Sequence, residues 1–115
     1  MSIESAIVAR IKSDVIALIE AGTDVVEALG EAAQTLVTEA AELGEDLVEV
    51  AVGAVKGAIA VAGEVAVEAE TAAAAAATGA VNAAGDVSEA AGARVRDAVT
   101  GTVDGVKVVV KKVVD

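Results

Sequence analysis

Apolar residues return every eleven positions along most of this chain. Every eleventh residue from Ile7 gives Ile7, Leu18, Leu29, Ala40, Ala51, Ala62, Ala73, Ala84, Val95 and Val106. The same step from Val15 gives Val15, Val26, Val37, Val48 and Ile59, and from Val25 it gives Val25, Leu36, Leu47, Ala58, Ala69 and Ala80. An acidic lane of Glu20, Glu31 and Glu42 resumes at Glu64. Eleven residues in three turns is about 3.67 per turn, close to the 3.6 of an α-helix, so such a stripe keeps its bearing around the axis. The apolar lanes together cover about half the circumference, wider than the seam of a two-stranded coiled coil. The large side chains of this face are Ile7, Val15, Leu18, Val25, Val26 and Leu29, followed by Leu36, Val37, Leu47, Val48, Val55 and Ile59. The pattern predicts an all-α protein of long, straight amphipathic helix or helices, folded back near residues 78–86.

Three places offer a break. Gly22 precedes Asp24 and Glu27, Gly44 precedes Asp46 and Glu49, and Gly85 precedes Asp86 and Glu89. A glycine tolerates the left-handed residue that ends one helix. An aspartate then accepts from the free N–H groups that open the next, which makes Asp24, Asp46 and Asp86 candidate caps. Because Asp24 and Asp46 lie two eleven-residue units apart, the lanes stay in register whether the helix bends or runs on. The clustering of Gly79, Asn82 and Gly85 marks residues 79–85 as the turn. The chain then divides into an acidic helical region at 1–78, with bends at Gly22 and Gly44, and a basic-ended helix at 86–115. Helices are expected near 3–21, 24–43, 46–78 and 86–113. The Val-rich end is read as helix because Val103, Val106, Val110 and Val113 keep helical spacing with Lys107, Lys111 and Lys112 opposite.

Composition changes this picture in one respect. The 115 residues include no Phe, Trp, Tyr, His, Cys or Pro, so the apolar 56% is Ala, Val, Ile, Leu and Met1. With no aromatic anchor, apolar burial must come from many small contacts along a long interface. That favours helices packed side by side or laid on something apolar, and it makes a monomeric bundle the thinner alternative. The stripe Gly53-x-x-x-Gly57, with Ala54, Ala58 and Ala62, lets two helix backbones approach closely.

Charge excludes some partners. The net charge is −11, and residues 13–55 hold ten carboxylates with no Lys or Arg, a field that repels nucleic acid and anionic lipid. Lys56, Glu64, Glu68 and Glu70 interrupt the apolar middle, so no segment reads as membrane-spanning. The N-terminus lacks the basic and apolar regions of a signal peptide, and the expected location is cytoplasmic, with a peripheral position at a membrane or granule as the variant. The bases Arg94, Arg96, Lys107, Lys111 and Lys112 gather near the C-terminal end. Arg96, Lys107 and Lys111 are candidates to pair with Glu20, Glu31 and Glu42, within a folded-back chain or head to tail between copies.

Chemistry is sparse. Without His or Cys, a Ser or Thr nucleophile has no ordinary partner base, so an enzyme is not expected, and neither is a small-molecule substrate. Glu42, Glu45, Asp46 and Glu49 form a carboxylate patch on a continuous helix, read as a solvated face plus a cap rather than a metal site. No phosphate-binding or calcium-loop motif is present, and no cofactor is expected.

The eleven-residue amphipathic period, with Gly at 22-residue joints, resembles that of exchangeable apolipoproteins, synucleins and perilipin-like proteins, and the coats that phasins form on polyester granules. The resemblance is one of pattern and implies helices lying on a surface. Those families flank the apolar face with lysines, whereas residues 13–55 have none, which directs the expectation to a neutral lipid or granule surface. The first expectation is a structural, self-assembling helical protein that buries its face against copies of itself or a larger protein assembly. The alternative is a peripheral coat on a lipid, storage-granule or membrane surface.

Overall fold

In the computed structural model, which describes residues 3–110, the stripe is cut into packed helices by a joint that repeats every 22 residues. The helices are α1 (Ile3–Glu20), α2 (Val25–Leu43), α3 (Leu47–Ala62), α4 (Ala69–Val87) and α5 (Glu89–Val99). A hairpin of β1 (Gly101–Val103) and β2 (Val106–Val108) follows.

The first three joints share one design. The N–H of Thr23 donates to the Leu18 carbonyl at 2.9 Å, that of Glu45 to Ala40 at 2.8 Å, and that of Val67 to Ala62 at 3.0 Å. These are the long bonds of Schellman caps, and they close over a left-handed residue at Gly22 (φ 100°), Gly44 (φ 74°) and Ala66 (φ 58°). The next helix opens on an acid, at Asp24, Asp46 and Glu68. The Asp24 carboxylate accepts from the Val26 and Glu27 amides, and Asp46 accepts from those of Val48 and Glu49. Glu68, one methylene longer, makes no such bond. The third joint thus keeps the backbone of the first two with neither their glycine nor their aspartate.

Because the chain turns at each joint, positions 22 apart are equivalent, while positions 11 apart fall on opposite halves of the unit. Val15 and Val37 are fully buried, whereas Val26 is 41% exposed and Val48 half-buried. The Ile7 lane lies at the core in both halves. Ile7, Leu29, Ala40, Ala51, Ala62, Ala73, Ala84 and Val95 are buried, and Leu18 and Val106 half-buried. A rod spanning residues 1–78 would measure about 117 Å, against a longest extent of 34 Å for the molecule. The protein is mostly helical, as its period implies, but the long straight helix is corrected to a folded globule.

α4 packs against α2, α3, α5 and β2, and α3 against α1, α2, α4 and α5. Glycines carry the closest crossings. A Cβ on Gly53 would meet the Ile7 side chain at 2.9 Å and one on Gly57 the Ile11 Cβ at 3.0 Å, so the glycine stripe of α3 receives α1. At Gly79 the backbone of α4 rests directly on Gly30 of α2, where an added Cβ would collide with the Gly30 carbonyl oxygen.

Two expectations at the C-terminal end are corrected. Residues 79–85 form no turn, because α4 runs through them to Val87 with Gly79, Ala80, Val81, Ala83 and Ala84 buried. An isolated glycine costs a helix only about 1 kcal/mol, and Gly79 is there for contact. The break falls at Ser88, whose extended backbone separates α4 from α5 and whose hydroxyl accepts from the Ala91 amide at 3.0 Å. Nor are residues 100–110 helical. Val103 pairs with Val106 across a two-residue loop in which Asp104 and Gly105 both have positive φ, 49° and 80°. That is the type I′ turn favoured by Asp-Gly, and it matches the twist of the strands on either side. Val103 and Val108 point into the core. The part of the expected helix at residues 111–113 lies outside the described residues.

Candidate functional site

The broad apolar face lies inside the fold. Ile7, Val15, Leu29, Leu36, Val37 and Val55 are buried, and Leu18, Val25, Leu47, Val48 and Ile59 are half-buried against that core. Val26 alone of the twelve is exposed. No polar or charged side chain is buried among the described residues. Alanine fills much of the interior, so helix spacing is set by methyl groups and glycines rather than by large side chains.

Of the three candidate caps, Asp24 and Asp46 occupy cap positions, while Asp86 sits in the last turn of α4 and caps nothing, a correction that follows from the break falling at Ser88. The charge-pairing candidates Glu20, Glu31, Glu42, Arg96 and Lys107 are exposed and, among the described residues, form no ion pair with one another; Lys111 lies outside the described residues. Bases near the N-terminus do form ion pairs. Arg10 bonds Asp14 at 3.0 Å and Glu39 at 2.7 Å, and Lys12 meets Glu64 at 3.0 Å. The Arg10–Glu39 contact is a two-pronged guanidinium–carboxylate pair strapping α1 to α2. Hydrogen bonding to Arg10 holds the Glu39 carboxyl below its ordinary value, and the same bond raises the guanidinium.

An open groove of about 700 Å³ lies above the crossing of Gly30 and Gly79. Those glycines and Ala74 and Ala75 make its floor. Glu27, Glu31 and Gln34 rise from α2 at helical spacing, and Thr71, Thr78 and Asn82 from α4. Glu68 and Glu70 stand at the start of α4, and Lys107 and Val109 bound the groove on the hairpin side. Its size is that of ordinary ligand clefts. The two helices meet there backbone to backbone, with no side chain at the crossing to fill the space above it.

Its chemistry is that of recognition. Four carboxylates, one ammonium, two hydroxyls and two side-chain amides line it. The Thr78 hydroxyl donates to the Ala74 carbonyl at 2.7 Å. Among the described residues no cluster of His, Cys, Asp or Glu is arranged to hold a metal ion, and no helix is long and apolar enough to cross a membrane. Sequence reading missed this groove, since Gly30 and Gly79 are 49 positions apart and no local pattern links them. The Glu27, Glu31, Gln34 stripe was the one visible sign. Comparison with protein-family models, curated proteins and solved structures finds no match for this chain.

Proposed function

We propose that this chain is a non-enzymatic helical module that folds on its own apolar face and acts through its surface as a component of a protein assembly. The observation that carries this reading is the placement of the hendecad face in the core, with charged groups confined to the outside. A face used internally leaves the groove and the charged surface for contact with partners. The net charge of −11 opposes close packing of identical copies, which favours a different protein as the neighbour.

Circular dichroism in plain buffer tests the reading. Full helicity, unchanged by neutral-lipid droplets, is the expected result. Helix that forms only when droplets are added would replace this reading with that of a peripheral coat. Light scattering at high protein concentration fixes the copy number, and a defined oligomer would return self-assembly to first place.

A further inference from the structure

The groove has a third side made by β2, an edge strand of the two-stranded sheet among the described residues. Thr102 and Lys107 face each other across the hairpin as the pair between Val103–Val106 and Gly101–Val108. In a hairpin closed by a two-residue loop, the pair beside the loop exchanges both ladder bonds and the next pair exchanges none. The N–H and C=O of Lys107 therefore point away from β1, and Val109 follows just past the end of β2. Both residues line the groove, no residue of β1 does, and β2 is the strand packed on α4. The groove is thus lined by carboxylates from α2 and the start of α4 and by Lys107 of the edge strand, whose main-chain N–H and C=O are not used by β1.

Resting on the reading of this chain as a surface-binding module, we infer that the groove takes an extended, basic peptide segment of a partner protein. The segment adds to β2 as a third strand and turns its Lys or Arg side chains toward Glu27, Glu31, Glu68 and Glu70. Main-chain pairing supplies register, and alternate side chains supply selectivity. The exposed apolar surface of Val26 (41%) and Val109 (55%) receives the intervening small or β-branched side chains. Four carboxylates against one ammonium select a cation. A second copy of this chain is the poorer occupant because it brings a charge of −11 to an acidic groove.

The test uses the full chain and a fluorescein-labelled octapeptide of alternating Val and Lys, read by fluorescence anisotropy. Binding is expected, and it should weaken at least tenfold when alternate peptide amides are N-methylated, and likewise with a protein carrying Glu27→Gln, Glu31→Gln and Glu70→Gln. Amide NMR of the unaltered protein should show peptide-induced shifts centred on Lys107 and Val109, a readout that needs no variant to fold. Absence of binding, equal binding of the methylated peptide, or shifts centred on the Glu42–Glu49 face would each overturn the proposal. A titration whose shifts at Lys107 arise from dimerisation without peptide would overturn it too, in favour of a second copy. In all these cases helicity in plain buffer still decides the broader reading by itself.

Discussion

Two glycines of the same helix should respond in opposite directions to the same substitution. A Cβ placed on Gly79 runs into the carbonyl oxygen of Gly30, with the Gly30 carbonyl carbon and Cα next at 3.0 and 3.2 Å. Both partners are backbone, so no side chain can swing aside. α2 and α4, which share the most extensive helix contact in the molecule, must separate. A radial gap of about 0.5–1 Å already forfeits roughly a quarter to a half of each dispersion contact across an interface. Overpacking costs about 1–3 kcal/mol, and backbone against backbone belongs at the upper end. Alanine returns about 1 kcal/mol of helix propensity, so Gly79→Ala should lose a net ~2 kcal/mol. A Cβ on Gly85, six residues along α4, meets nothing within 4 Å. Gly85→Ala should therefore gain most of the ~1 kcal/mol of propensity. For a chain near this size, about 4–8 °C accompanies each kcal/mol, so the variants should melt on opposite sides of the parent and well apart. Urea unfolding followed at the helical circular dichroism band measures both. A Gly79→Ala protein as stable as the parent, or a Gly85→Ala protein as damaged as Gly79→Ala, would refute direct contact of α4 on α2.

Other expectations follow from the joints and the strap. Ala66→Gly relieves a left-handed alanine worth about 1–2 kcal/mol of strain, offset by about 0.4–1 kcal/mol of added unfolded-chain entropy; a net gain of ~0.5 kcal/mol is expected in urea melts, and a loss would contradict the joint geometry. Asp24→Ala and Asp46→Ala should each cost about 1 kcal/mol, whereas Asp86→Ala should stay within about 0.5 kcal/mol of the parent, so equal costs at all three would show the break misplaced. The Arg10 bond lowers the folded-state value of Glu39, so its stabilisation is complete above the ordinary carboxyl value of 4.5 and is lost as pH falls through the lowered value. The stability difference between the parent and Glu39→Gln should shrink on acidification below about pH 5, and a difference independent of pH would remove Arg10–Glu39 from the account.

The eleven-residue lanes by themselves determined that the protein is helical, that Ile7, Leu29 and Ala40 share a face, and that glycine with aspartate marks Gly22–Asp24 and Gly44–Asp46. These are local matters, settled by side-chain spacing along one helix and by which residue tolerates a left-handed turn. The type I′ hairpin was equally local, because Asp104-Gly105 between valines is a turn signal outweighed only by the helical spacing of those valines. Tertiary structure alone decided where the face would be used. A stripe of Ala and Val suits a partner surface or a neighbouring segment equally well, and only the reversal at each joint brings α1 onto α3 and α2 onto α4. It also decided the meaning of Gly79, a turn signal by composition that serves as the crossing point with Gly30. The pairing of two positions so distant in the chain is a property of packed backbones, and the groove above them exists for the same reason.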